Sequence, residues 1–154
     1  METIERSVEV LNDLIELNND RIAGFEKALK ELTTSETDMN LKSLFEKYSN
    51  QSRQNVQELT TAVARLGGNP ETNTGITGDI HRAWMEVKST FTGHDRESIL
   101  SECERGEDAI KDAYRKALTE NGGVSSDVSL ILTRQAAEIK EAHDSIRALR
   151  DSFK

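Results

Sequence analysis

The chain is poor in the residues that mark β-sheets, disulfides and membrane spans. Its 154 residues include one cysteine, one proline and only 5% aromatic residues. The lone Cys103 excludes an internal disulfide and suits a reducing compartment. No segment approaches the roughly 20 apolar residues that a membrane span needs, and no apolar signal core opens the chain. We therefore expect a cytoplasmic protein that does not enter a membrane.

Basic character is also scarce, because 28 acidic residues outnumber 20 basic ones and give a net charge of −8. An acidic surface without a basic run at either terminus argues against binding of nucleic acids and anionic membranes. Phosphate-binding and dinucleotide-binding glycine motifs are absent as well. What is abundant is charge of both signs, at 31% of residues, which is typical of long exposed helices.

Helical periodicity runs through most of the chain and predicts one all-α domain over residues 1–154. We expect long helices over residues 3–33, 38–66, 95–121 and 126–152, each with an apolar seam at alternating steps of three and four. Gly67-Gly68 and then Pro70 end the second helix, and Gly122-Gly123 ends the third. The seam of the first helix is Ile4, Val8, Leu11, Ile15, Asn18, Ile22, Phe25, Leu29 and Leu32.

The connections between these helices predict the topology. Short turns make helices 1 and 2, and helices 3 and 4, antiparallel neighbours. The long connection from Gly68 to His94 includes a short amphipathic helix over residues 79–91 and can cross the length of the bundle. The order is then up, down, down, up, which is the single-crossover topology of ferritin-like four-helix bundles.

Each long helix has a polar or very small residue at a similar depth in its apolar seam. Because a polar group in a core is costly unless it has partners, we expect one shared polar layer across the bundle. In this hypothesis Glu107 is the central acceptor and Arg53 or Lys140 neutralises it, so that Glu107→Gln costs about 1–3 kcal/mol. The predicted layer consists of Asn18, Ser52, Asn55, Glu107 and Gln135.

Several motifs resemble an uncharacterised bacterial family of four-helix-bundle proteins in the ferritin-like group. The first is Leu66-Gly-Gly-Asn-Pro70, followed by Gly75, Gly78 and His81-Arg-Ala-Trp84. The others are Glu102-Cys-Glu-Arg-Gly-Glu-Asp-Ala109, Tyr114-Arg-Lys-Ala-Leu118 and the closing segment His143 to Asp151. The resemblance covers nearly the whole chain. It implies an architecture but no catalytic residue, since the family is described by fold.

Metal ligands of the di-iron bundles are only partly present. Such sites take one Glu from each of two helices and a Glu-x-x-His from each of the other two. Here Lys140 stands three residues before His143, where a Glu would be needed, and the second helix has no histidine. We therefore expect no cofactor and no metal site, with iron or manganese as the alternative. The candidate ligands for that alternative are Asp20, Glu104, Glu107 and His143.

The remaining conspicuous residues have structural interpretations. His94 and Glu97 form a possible surface pair for a metal, but two ligands seldom make a site. His81 anchors the crossover by hydrogen bonding, and Trp84 and Phe91 pin the crossover helix to the bundle. Cys103 lies on the apolar seam and is expected to be an inert small hydrophobe.

Two functions remain open from the sequence. One is a non-enzymatic bundle that works through self-association or a protein partner. A second apolar strip of Leu14, Leu17 and Ala28 on helix 1 would then bury against a twin subunit in a homodimer. The other is a metal-dependent oxidoreductase or metal store of the ferritin-like type. A role in stress responses would follow from analogy with that fold group alone.

Overall fold

Four α-helices make up nearly all of the described chain. The computed structural model describes residues 2–31, 36–70, 96–119 and 126–152. The helices are α1 (Glu2–Glu31), α2 (Glu36–Arg65), α3 (Arg96–Thr119) and α4 (Ser126–Ser152). No β-strand occurs within these ranges, so the all-α four-helix prediction is confirmed. The predicted crossover helix over 79–91, with His81, Trp84 and Phe91, lies outside the described residues, as does the pair of His94 and Glu97.

Contacts between side chains at successive levels give the helix directions. As α1 proceeds from Asn18 to Arg21, its partners on α3 go backwards from Tyr114 to Glu107, so α1 and α3 are antiparallel. Similar pairs show that α2 is antiparallel to α1 and that α4 is antiparallel to α3. The helices therefore run up, down, down and up. The pairs for these last two relationships are Asn12 with Asn69, Asn18 with Asn55, Tyr114 with Gln135, and Glu104 with Arg150.

The core is formed by the apolar seams of all four helices. Three of its aromatic residues, Phe25, Phe45 and Tyr48, pack together, with the ring centroids of Phe45 and Tyr48 at 5.4 and 5.6 Å from that of Phe25. Aliphatic residues such as Leu59 and Ile139 fill the space on either side and are fully buried. Burial of each such side chain contributes about 1.5–3 kcal/mol. Within the described ranges, no helix has an apolar stretch that could cross a bilayer.

Two glycines, Gly67 and Gly68, form the turn that ends α2, and each has a structural reason to be there. Gly67 has a φ of +83°, a left-handed conformation that side chains disfavour. Gly68 N donates to Val63 O at 3.0 Å and Gly67 N donates to Ala64 O at 3.0 Å, which is the Schellman termination of a helix. A Cβ on Gly68 would lie 2.8 Å from the Val8 methyls. The glycine pair therefore both stops α2 and lets α1 approach the turn closely.

Candidate functional site

Five polar residues lie at the centre of the bundle, on all four helices. Every one of them is at most 1% exposed, including the seam residues of α1 and α4. Because each stands where a heptad places an apolar residue, its polar atoms face the other helices rather than solvent. A buried polar group that lost its hydrogen bonds would lower the stability of the protein by about 1–3 kcal/mol. The hydrogen-bond partners of each residue therefore determine the role of the site. The five are Asn18, Ser52, Asn55, Glu107 and Gln135.

Asn18 connects three helices through its amide. Its Nδ2 donates to Tyr114 Oη at 2.9 Å and to the carbonyl oxygen of Leu14 at 2.8 Å. Its Oδ1 accepts from Ser52 Oγ at 2.8 Å and from Asn55 Nδ2 at 3.3 Å. Both ends of the amide are thus satisfied, and an apolar residue here would take one hydrogen-bond partner away from polar groups on α2 and α3.

The network continues to α4 through the hydroxyl of Tyr114. Tyr114 Oη donates to Gln135 Oε1 at 2.7 Å, and Gln135 Nε2 donates to Glu58 Oε1 at 2.9 Å. Glu58 also pairs with Arg134 at 2.7 Å, which brings the chain of hydrogen bonds to the surface. Burial raises the pKa of Tyr114 above its ordinary value, so the phenol stays protonated and serves as a donor.

An ion pair between Arg21 and Glu107 occupies the middle of this layer. Arg21 Nε lies 2.5 Å from Glu107 Oε1 and Arg21 Nη2 lies 2.7 Å from Oε2, a two-pronged contact between side chains that are both 0% exposed. The third nitrogen, Nη1, donates to Ser52 Oγ at 3.0 Å. The guanidinium carbon also lies 5.4 Å from the ring centroid of Phe25 and 5.8 Å from that of Tyr48. Such a fork matches the planar geometry of a carboxylate, which a lysine could not do.

The source of the compensating cation differs from the prediction. Arg53 has a 46% exposed side chain and pairs with Glu26 at 3.0 Å. Lys140 is 65% exposed and pairs with Asp144 at 2.8 Å, which helps to lower the pKa of that carboxyl to about 2. Both side chains point outward, because in each helix it is the preceding residue that faces the bundle axis. Arg21 provides the charge instead.

The electrostatics of Glu107 reflect two opposing effects. Burial raises its pKa above the ordinary value, whereas the charge and hydrogen bonds of Arg21 and the nearby His143 lower it. Close hydrogen bonds to both carboxylate oxygens favour the ionised form, so the contact is a charged pair. Cys103 lies nearby at 0% exposure, and burial raises the pKa of its thiol well above the ordinary value. That thiol is therefore protonated and inert.

The candidate metal ligands lie on α1, α3 and α4, but they are engaged with other groups. Glu107 binds Arg21, and Glu104 forms a close ion pair with Arg150. The buried His143 has its Nε2 3.7 Å from Glu104 Oε1. The same ring reaches the exposed carboxylates of Asp108, at 3.4 Å from Nε2, and Asp144, at 3.1 Å from Nδ1.

No converging ligand set appears among the residues that the structure describes. There, no group of three or more His, Cys, Asp or Glu side chains has the arrangement that would hold an ion. Around His143, Glu104 and Asp108 lie near Nε2 whereas Asp144 lies near Nδ1, and Glu104 already has a guanidinium partner. Asp20 is buried on α1.

Comparison with known families gives a match over most of the chain. The model of a family described as "Domain of unknown function (DUF2383)" matches residues 6–120. The chain belongs to this family. The match covers α1, α2 and α3, and so it includes Asn18, Arg21 and Glu107 of the central layer. A comparison with curated protein sequences found no match. Membership of DUF2383 therefore supplies no activity and no residue role.

The expected dimer strip on α1 is not available in this DUF2383 chain. Leu14 is 2% exposed, Leu17 is 3% exposed and Ala28 is fully buried within a single copy. These residues pack into the core because α1 contacts both α2 and α3, so that it buries a wider face than one heptad seam. The prediction that this strip faces a twin subunit is wrong.

A groove lies between α2 and α4. It has a volume of about 540 Å³ and opens between the C-terminal half of α2 and the N-terminal half of α4. Of the four neighbouring helix pairs, α2 and α4 pack together least. Ala62, Leu66, Val128 and Ile131 form the apolar part of its lining.

Proposed function

We propose that this protein is a non-enzymatic, ferritin-like helical bundle that acts through association with copies of itself or with a partner protein. The observation that carries the proposal is the Arg21–Glu107 pair, since it places a permanent cation of the chain itself at the centre of the bundle. In ferritin-like metal proteins inward-facing carboxylates converge on ions at that depth. Here the inward carboxylate of α3 has both oxygens bound to a guanidinium.

The chemistry of a closed network argues for a structural role. A general acid or base must reach a substrate, and a metal ligand must have a free lone pair directed at the ion. The central residues instead form hydrogen bonds to other groups of the same chain, and all four are 0% exposed. These four are Glu107, Arg21, Asn18 and Gln135, and their partners outside the set include Ser52, Tyr114 and Glu58. Such a layer fixes the register of four helices at some cost in stability.

Helix directions support the ferritin-like part of the proposal. Because α2 and α3 both run downward, the end of α2 and the start of α3 lie at opposite ends of the bundle. The 30 residues of α2 span roughly 45 Å, a distance that residues 71–95 can cover even in a partly helical form. An up, down, down, up bundle with one long crossover is the ferritin-like arrangement.

The alternative function is a metal-binding protein that handles iron or manganese. Its support is the proximity of Glu104 and His143 on neighbouring helices, with 3.7 Å between Nε2 and Oε1. The Arg150 guanidinium on Glu104 weighs against it, since a metal would have to displace that cation. The proposal also places the protein in a reducing cytoplasm, supported by its lone and buried cysteine.

Elemental analysis of tag-free protein distinguishes the two functions. The protein should be purified without chelators and measured as wild type, Glu107→Gln and Glu104→Gln. We expect metal far below one ion per chain in all three. Stoichiometric iron or manganese in the wild type that disappears in a folded variant would overturn the proposal. The Glu104 variant serves as the folded comparison if Glu107→Gln is too unstable to purify.

A further inference from the structure

The apolar floor of the α2–α4 groove is bordered by charges of both signs. On the α2 side these are Glu58 and Arg65, and on the α4 side Asp127 and Arg134. Two acidic and two basic side chains give this rim no net charge, whereas the whole chain has a net charge of −8. Copies of the protein repel one another over most of their surface, and this neutral patch is a place where that repulsion is absent.

A large apolar side chain projects beside the groove. Leu130 is 72% exposed and is the large hydrophobic residue that lies most open among those described. It is three residues after Asp127 and four before Arg134, so on a helix it lies next to both rim residues. A single exposed leucine needs no explanation by itself. Its position at the edge of an apolar groove, however, gives the surface both a projection and a cavity.

We propose, resting on the function proposed above, that a second copy of this chain docks here in a two-fold symmetric dimer. A two-fold axis parallel to the helices places α4 of each copy over α2 of the other, and Leu130 over the facing groove. Arg65 and Asp127 lie at the same end of the groove because α2 and α4 are antiparallel. The same rotation therefore sets Arg65 opposite Asp127 of the partner subunit, while Glu58 and Arg134 keep their pair within each copy.

The occupant is a second copy rather than another partner because the patch is complementary to itself. One surface holds the projection, the cavity that accepts it and both members of the Arg65–Asp127 charge pair. A groove for an acidic or a basic partner would have a rim of one sign, and electrostatic complementarity is what selects partners at such edges.

Sedimentation equilibrium over about 1–100 µM tests the first part of this inference. The wild type should shift from monomer to dimer, and Leu130→Glu should weaken dimerisation at least tenfold by burying a charge. Ala148→Glu is the matched control, since it adds the same charge at an exposed position of α4 away from the groove. Circular dichroism of all three confirms folding. A wild type that stays monomeric, or a dimer that Leu130→Glu leaves intact, overturns the inference.

Charge reversal tests the pairing itself. Asp127→Arg and Arg65→Asp should each weaken the homodimer, because like charges then face each other twice. An equimolar mixture of the two variants should form a heterodimer of nearly wild-type affinity. One of its two charge pairs is then the wild-type pair, and the other has the same two charges with their positions exchanged. Absence of that recovery overturns the two-fold arrangement.

The two proposals fail separately. A monomeric or wrongly paired protein that is free of metal overturns this dimer and leaves the proposed function standing through a different partner. Stoichiometric metal in a protein that dimerises as described overturns the proposed function alone.

Discussion

Arg21 and Glu107 bind each other through two hydrogen bonds, of 2.5 and 2.7 Å, at a point where neither side chain is exposed to solvent. The contact joins α1 to α3, and Ser52 extends it to α2. Taking two charges out of water is expensive, so the pair persists only because each group satisfies the other. The bundle thereby contains both the anion and its counter-ion within one chain.

Breaking this pair from one side should destabilise the protein strongly. Glu107→Gln leaves a buried guanidinium without a counter-charge, and Arg21→Met leaves a buried carboxylate, so each should lower the free energy of unfolding by about 3–5 kcal/mol. This exceeds the roughly 1–3 kcal/mol expected from the sequence, because the sequence alone does not show that Glu107 faces a fully buried cation. Urea denaturation followed by circular dichroism measures the change.

The double variant Arg21→Met with Glu107→Gln should be more stable than either single variant, because both charges leave together. If the losses of the two single variants simply add in the double variant, the pair is not coupled and this description of the layer is wrong.

Removing the hydrogen bonds of Asn18 should also destabilise the protein, because its buried partners would then lose a hydrogen bond. Asn18→Leu should cost about 2–4 kcal/mol, because Tyr114, Ser52 and Asn55 all lose a partner in a buried setting. Tyr114→Phe should cost about 1–2 kcal/mol in the wild type and clearly less in the Asn18→Leu background. Thr61→Val, which removes an exposed hydroxyl bonded within its own helix, is the control and should stay within about 0.5 kcal/mol. Equal costs of Tyr114→Phe in both backgrounds would contradict the network.

Asp13 should make stability depend on pH in a defined direction. Burial, and then the charges of Glu9 and Glu16, raise its pKa to about 6, above the value of about 3.9 in an unfolded chain. The folded state therefore holds the proton more tightly, and stability decreases as pH rises from about 4 to about 6. Asp13→Asn should remove this penalty and stabilise the protein at pH 7.5 by about 1–2 kcal/mol, after allowance for solvent screening.

The benefit of Asp13→Asn should vanish near about pH 3, where the wild-type carboxyl is itself largely protonated in both states. Asp112→Asn is a control of opposite sign, since a hydrogen bond from Arg115 lowers the pKa of Asp112. That variant should be slightly less stable than the wild type at pH 7.5. Thermal unfolding at the two pH values tests this prediction. An equal gain in stability from Asp13→Asn at both pH values would show that the raised pKa of Asp13 is not the cause.

Cys103 should be unreactive in the folded protein. Its side chain is 0% exposed, and burial together with the nearby carboxylates of Glu107 and Glu102 raises the thiol pKa well above its ordinary value. A thiol-specific disulfide reagent at pH 8 should therefore label native protein more than about 100-fold slower than urea-unfolded protein. Rapid labelling without unfolding would show that this part of the core opens readily.

The heptad seams were enough to predict the helices and the bundle. Alternating steps of three and four placed residues such as Leu11, Ile15 and Phe25 in the core, where the structure buries them. The Gly67-Gly68 signal marked the end of α2 through its left-handed geometry. These features are local, since spacing along one helix and the conformational freedom of glycine do not depend on the other helices.

Arg21 was missed because its role depends on a neighbour distant in sequence. It lies just off the α1 seam, where a charged side chain is ordinarily solvated, and Glu107, the group that holds it inside, is on α3. The one signal was its position three residues after Asn18, which places both on the same side of the helix. Leu14 and Leu17 were misjudged for a related reason, because the width of the buried face of α1 is set by contacts with two helices at once.

Unfolding with and without a chelator, combined with metal titration, tests the central claim most directly. If Arg21 supplies the charge that balances Glu107, the free energy of unfolding should be the same with excess EDTA, in metal-free buffer and with excess Fe(II) or Mn(II). Stabilisation that grows with metal concentration and is lost in Glu107→Gln would mean that the carboxylate binds an ion in solution. That result would contradict a layer closed by the chain's own guanidinium.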